Sequence, residues 1–217
     1  MAELKKLYIV GSGGFGREIL WLAKRINNVS LVWNIMGFID DDVTLHGSQQ
    51  DDYPVLGGCS YLGTTQESVY VVVAIGSAKT KKKVVEKLSQ YDNVRFATLI
   101  DPSVILSDRV KIGEGCMICA GTIITVDVVI GKHVIVNLDC TLGHDDVIGD
   151  YVTIYPSVNV SGIVNVGDEA ELGTGAQIIQ GKTIGKKSIL GAGAVVVHDI
   201  PENCVAVGSP AKPIKFF

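Results

Sequence analysis

The stretch Ile130-Gly131-Lys132-His133-Val134-Ile135-Val136-Asn137-Leu138-Asp139-Cys140-Thr141-Leu142-Gly143-His144-Asp145-Asp146-Val147-Ile148 decides the fold. Its aliphatic residues Ile130, Val136, Leu142 and Ile148 stand six apart. Followed in both directions, the phase runs from Ile100 to Val196 without a slip, 17 positions in a row that are Ile, Leu or Val. Chance repetition at this composition is of order 10⁻⁸ for one phase. Gly often follows the aliphatic residue, as at Gly113, Gly131, Gly143, Gly149 and Gly167. Four places after it stands a residue that is mostly small or β-branched, such as Cys116, Thr122, Cys140, Ala170 and Ala194. A period of six fits neither the 3.6 of a helix nor the 2 of a strand. It fits a prism. A short strand and a turn every six residues make one face, and three faces make a coil of about 18 residues. Aliphatic side chains then stack inside, and the glycines allow the bends. Each coil touches mainly its neighbours, as in any solenoid.

Composition agrees. The 217 residues include 30 Val and 23 Ile against 15 Leu, a bias toward residues that suit strands. The 25 Gly suit many tight turns. Hydrophobic residues make up 47% and charged ones 19%, which excludes a disordered chain. A net charge of −4 argues against a nucleic-acid partner, which needs a basic face, and against an anionic membrane surface. No apolar run is long enough to span a membrane. Met1 to Lys6 leads into a strand-like run with no apolar leader behind it, so the expected location is the cytoplasm. The five Cys, an odd number, read as free thiols buried like small hydrophobes. Cys116 and Cys119 have CxxC spacing but no second ligand pair follows, so no metal site is expected.

The chain divides into two domains, 1–98 and 99–217. In the first, Leu7-Tyr8-Ile9-Val10 reads as a strand and Gly11-Ser12-Gly13-Gly14-Phe15-Gly16 as the turn after it. Helical spacing follows in Ile19, Leu22, Ala23 and Ile26. Ile35 to Asp40 and Val69 to Ile75 read as further strands, and Ser77 as the cap of a helix reaching about Gln90. Val94 to Thr98 reads as a fourth strand, and strands alternating with helices predict a small Rossmann-like parallel α/β unit. Gly11, Gly13 and Gly16 match G-x-G-x-x-G between a strand and a helix, with acidic residues following the second strand. Such a turn cradles phosphate at a helix N-terminus. Three readings stay open: a nucleotide-sugar site, a dinucleotide site, and a tight strand–helix turn that binds nothing. The domain is only half the size of a full dinucleotide fold.

Of the four His, the residues His46, His133 and His198 read as solvated surface side chains. His144 differs. It stands two places after an inward aliphatic residue, hence on the outside of a coil, and Asp145 follows it. Acyl transfer from a thioester needs a base for the acceptor's proton, and neutral His serves at pH 7. A neighbouring carboxylate can fix the tautomer, though sequence does not decide whether Asp145 turns toward the ring. Gly162 lies 18 residues on, at the same angular position one coil higher, where its N–H can face a developing oxyanion.

The repeat resembles that of the hexapeptide-repeat acyltransferases, which implies a left-handed parallel β-helix, usually in a homotrimer. The whole set of motifs resembles one group among them: the bacterial sugar acetyltransferases of the sialic-acid O-acetyltransferase and bacillosamine-pathway type. It comprises G-S-G-G-F-G, F-I-D-D-D, A-I-G-S, G-H-D with V-I-G-D-Y-V, G-A-G-A-V-V and the V-G-S-P-A-K tail. The resemblance implies an acetyl-CoA-dependent N-acetyltransferase acting on a nucleotide-linked 4-amino-sugar, with active sites between subunits. It implies His144 as base, Asp145 as its support, and Gly13, Gly14, Phe15, Asp40, Asp41 and Gly76 around the nucleotide-sugar. Acetyl-CoA contacts are implied at Thr153, Thr174 and Ala192, with the Pro210-Ala211-Lys212 tail nearby. Some relatives have His where this chain has Thr153. A sugar O-acetyltransferase and a non-catalytic scaffold remain alternatives.

Overall fold

A computed structural model describes residues 4–217. The chain forms two compact units, divided after Pro102.

The first unit is a six-stranded sheet with helices. Its elements are β1 (Lys5–Val10), α1 (Gly14–Val29), β2 (Trp33–Ile39), β3 (Gln49–Gln50), β4 (Tyr53–Gly57), α2 (Ser60–Gly63), β5 (Val69–Val73), α3 (Ala78–Leu88) and β6 (Val94–Phe96). Strand order is β3-β4-β2-β1-β5-β6, parallel except for the antiparallel β3–β4 pair. The chain runs outward from β1 on one side, then returns to its other side at β5. That reversal puts the β1, β2 and β5 C-terminal ends at a topological switch point, the usual ligand position in such sheets. Burial drives it: Leu7, Ile9, Phe38, Ile39, Val71 and Val72 are fully buried, and α1 lays Ile19, Leu20, Leu22 and Ala23 against them. Ser77 caps α3 as expected, its Oγ accepting from the Thr80 N–H. The β3–β4 hairpin and the short α2 are additions. The hairpin turns through Asp51 and Asp52, both at positive φ, and Pro54 is the second residue of β4. Acidic residues with Pro54 hide a strand pair from a pattern search.

The second unit is the left-handed β-helix. Two-residue strands stack in three parallel sheets, each residue opposite the one 18 places on. Ile118, Val136, Ile154, Leu172 and Leu190 form one internal column. Ile124, Leu142, Val160, Ile178 and Val196 form the second. Ile130, Ile148, Val166 and Ile184 form the third. All are at most 3% exposed, so the repeat is a core laid out along the sequence. The antiparallel pair Cys204–Val207 and Lys212–Phe216 closes one end.

The bends are not made where the sequence suggested. The glycines after the aliphatic residues mostly have ordinary φ. Positive φ falls two places later, at Asp127, His133, Asp139, Asp145, Tyr151, Ser157, Ile163 and Glu169. The glycines answer a different demand. A Cβ on Gly113 would stand 2.5 Å from the Gly131 carbonyl oxygen, and one on Gly143 would stand 2.5 Å from the Gly162 nitrogen. Successive coils approach too closely there for any side chain.

His133 also departs from expectation. It is 4% exposed and stacks on Tyr151, one coil on, with ring centroids 5.2 Å apart and planes 14° from parallel. All five Cys are buried free thiols. Among the described residues, no helix is long and apolar enough to cross a membrane.

Candidate active site

In the turn Gly143-His144-Asp145-Asp146, Asp145 takes φ +62°, a conformation that Asp tolerates better than most residues. That twist brings its carboxylate back along the chain. Asp145 Oδ2 lies 2.8 Å from His144 Nδ1. A carboxylate only accepts, so Nδ1 carries the proton and donates it, leaving the Nε2 lone pair available. Both side chains are about half exposed. The contact that sequence left undecided is therefore made, and made by the turn itself.

Gly162 lies under the ring. A Cβ at that position would stand 2.5 Å from His144 Nε2, 2.6 Å from Cε1 and 2.8 Å from Cδ2. The two turns are tied by the Ile163 N–H, which donates to the His144 carbonyl at 2.8 Å. The Gly162 N–H donates to no group among the described residues. An imidazole with a free Nε2 thus stands over a backbone position where any Cβ would strike the ring. Gly162→Ala is expected to keep the fold, since φ there is not positive, but to displace the ring. A turnover loss of about 10²-fold, with thermal melting little changed, is the expected result of steady-state kinetics and a melting curve on the variant.

Asp146 went unnoticed in the sequence. It is fully buried, its Oδ1 accepts from the Val164 N–H at 2.8 Å, and its Oδ2 has no partner among the described residues. Burial pushes its carboxyl up to about 7. The available signal was a carboxylate at a repeat position filled mostly by Cys, Thr, Val, Ala and Ser.

Thr174 and Ala192 are exposed and 18 places apart in one column, whereas Thr153 is 1% exposed on the sheet of the first internal column. The structure does not place Thr153 with the other two. Lys212 in the tail is exposed.

The other residues singled out gather at the C-terminal ends of β1, β2 and β5. Gly13 and Gly14 are exposed, and a Cβ on either would meet nothing within 4 Å. Gly13 is the N-cap of α1, whose first turn has no side-chain cap and no acidic residue. Phe15 is half-buried beside it. Gly76 follows β5. Asp40 and Asp41 are engaged within the chain. Asp40 Oδ2 accepts from the Ser12 N–H at 2.9 Å and from the Ser12 hydroxyl at 2.7 Å, and its Oδ1 accepts from the Asp42 N–H. Burial pushes the Asp40 carboxyl up, but these hydrogen bonds outweigh it and hold the group below the usual carboxylate range. Asp41 accepts from the Cys59 N–H at 2.8 Å and pairs with Lys87 at 2.8 Å. Lys87 chiefly, then that N–H, holds its carboxyl low. Asp40 therefore splints the Gly-rich turn to the loop after β2.

Comparison with known proteins adds the following. Residues 6–88 match the family model of the PglD N-terminal domain. WeeI from Acinetobacter baumannii AYE is 32% identical, covers 97% of this chain and 100% of its own, and superposes with a TM-score of 0.88. The chain belongs to the hexapeptide-repeat sugar acetyltransferases of the bacillosamine-pathway type. Another member of this family, a His-to-Asn mutant of perosamine N-acetyltransferase from Caulobacter crescentus, was solved with CoA and GDP-perosamine. It is 30% identical over 98% of both chains, with a TM-score of 0.89. The acetyltransferase domain of PglB from Neisseria gonorrhoeae FA1090, solved with acetyl coenzyme A, is 29% identical over 98% of this chain and 100% of that one, with a TM-score of 0.88. Among curated proteins the matches are local. A Schizosaccharomyces pombe protein provisionally named an acetyltransferase is 63% identical over 38 residues, 18% of each chain.

Proposed function

We propose that this chain is an acetyl-CoA-dependent N-acetyltransferase acting on a nucleotide-linked 4-amino-sugar. The observation that carries this reading is the His144 imidazole, with Nδ1 held by Asp145 and Nε2 over Gly162. The GDP-perosamine and acetyl coenzyme A bound by the family members above support the two substrates.

The chemistry needs one proton moved and one oxyanion stabilised. The neutral sugar amine attacks the thioester carbonyl, forming the C–N bond. His144 Nε2 takes the amine proton, and Asp145 stabilises the resulting imidazolium. The Gly162 N–H donates to the oxyanion as it forms. Collapse breaks the C–S bond, and the proton leaves with the thiolate as CoA thiol. Thr174 and Ala192 line the path of acetyl-CoA. The first turn of α1 takes the diphosphate of the nucleotide-sugar on its uncapped N–H groups, with Asp40 keeping the turn in shape.

Gly13→Ala isolates the phosphate role. The new methyl has room in the free chain, so stability is expected to hold. Close approach of a phosphate is blocked, and KM for the nucleotide-sugar is expected to rise about tenfold or more in initial-rate measurements. The working assembly is a homotrimer, supported by apolar side chains on the outside of the coils. Ile105, Ile123, Val129, Val147 and Ile163 are each 38–64% exposed. The function itself is tested by thiol release from acetyl-CoA with a panel of nucleotide-linked 4-amino-sugars and their 4-hydroxy counterparts. Release with an amine alone is expected. Release only with a hydroxyl would make the enzyme an O-acetyltransferase, and release with neither would make the chain a scaffold.

A further inference from the structure

We propose that Asp146 is a positioning residue: its buried carboxyl ties the turn that carries His144 to the turn that carries Gly162, and so sets the distance between base and oxyanion donor. The inference rests on the roles proposed above for those two residues.

The two turns are equivalent positions 18 residues apart. Asp146 follows His144 by two residues, as Val164 follows Gly162 by two. Main-chain bonds run between them as in every coil: the Ile163 N–H donates to the His144 carbonyl and the Val147 N–H to the Val164 carbonyl. One bond varies from turn to turn. At the position corresponding to Val164 in other turns the N–H is satisfied either across the coils, as the Val134 N–H is by Cys116 Sγ at 3.4 Å, or inside its own turn. The Ala176 N–H donates to the Gly173 carbonyl at 3.0 Å, and the Ala194 N–H to the Gly191 carbonyl at 3.2 Å. The Val164 N–H makes no such bond. It reaches across the coils to Asp146 Oδ1 at 2.8 Å. The Gly162 turn is thereby held from outside itself, by a side chain of the turn that bears the base.

The choice of residue is costly. A fully buried carboxyl with one oxygen unpartnered opposes folding, and the residues one coil before and after it in this column are Val128 and Val164. A carboxyl placed in the one turn that carries the His144–Asp145 pair is accounted for by what it fixes. A shift of the Gly162 N–H by less than 1 Å would spoil its aim at the oxyanion.

The test compares Asp146→Val, which removes the acceptor, with Asp146→Asn, which keeps it. Three quantities are measured: kcat, KM for acetyl-CoA, and hydrogen exchange of the peptide spanning 161–165. For the Val variant, kcat is expected to fall about 10- to 100-fold while KM changes less than about twofold, and exchange accelerates. The Asn variant is expected to recover kcat to within about threefold of the native enzyme, with slow exchange restored. A Val variant with native kcat and native exchange overturns the proposal. So does equal loss in both variants, because the acceptor would then not be what matters. Asp146→Ala replaces the Val variant if that one fails to fold. Absence of acetyl transfer in the native protein would overturn the proposed function alone, since the exchange experiment still reads the tie between the turns.

Discussion

Replacing His144 by Ala is expected to lower kcat by about 10²- to 10⁴-fold, the usual contribution of a positioned general base. Binding of both substrates is expected to survive, because the ring is half exposed and no core packing depends on it. Calorimetric Kd values for acetyl-CoA and for the nucleotide-sugar should therefore stay within about twofold of native. Asp145→Asn is the milder companion. Its amide can face the ring with its oxygen, but it carries no charge to stabilise the imidazolium, so kcat falls by less than in the Ala variant. Near-native turnover in His144→Ala would remove the base from the mechanism.

The second large effect is on stability, and it concerns Asp146→Asn. In the folded chain burial raises the carboxyl to about 7 from its ordinary 3.8. The Val164 and Gly143 backbone and the nearby His144 pull it down, and Asp145 pushes it up, but burial dominates. Between about pH 4 and 7 the native protein therefore keeps a proton that the unfolded chain has lost. The native state binds more protons there, so stability falls as pH rises, and the loss is complete above 7. A difference of about three pKa units at about 1.4 kcal/mol each gives roughly 4 kcal/mol. Asparagine cannot ionise and removes this dependence. The advantage of the Asn variant over the native protein in thermal melts is expected to be small at pH 4 and to grow to a plateau near pH 8. An advantage that does not change with pH would mean the native carboxyl is not held protonated.

Much of the fold lies open in the sequence because the β-helix core is a periodic object. Each internal residue from Ile118 to Val196 faces the same environment as the one six places away, so spacing reports burial there; Leu106, in the same phase, is 39% exposed. What spacing cannot report is contact across a full coil. The glycines at 113 and 143 look like bends but are close approaches to the coil 18 residues on. His133 looks like a surface residue until Tyr151 is placed on it. The His144–Asp145 contact depends on the backbone twist at Asp145, a torsion that residue type permits but does not demand. Asp146 reads as one more charge in an acidic run, and its burial follows only from its place in a column. In the first unit, Leu7–Val10 and Ile19–Ala23 announce themselves by apolar pattern. The β3–β4 hairpin does not, because its turn is made of Asp51 and Asp52 and its strands carry Gln49, Gln50 and Pro54.

The most direct test is a crystal structure of the protein with a bisubstrate analogue, in which the amino-sugar nitrogen and CoA sulfur are joined through a tetrahedral, oxyanion-like centre. The account predicts hydrogen-bond distances, about 2.7–3.2 Å, from His144 Nε2 to that nitrogen and from the Gly162 nitrogen to the oxyanion oxygen. A reacting centre bound elsewhere on the protein, or an oxyanion turned away from Gly162 with the imidazole idle, would contradict it.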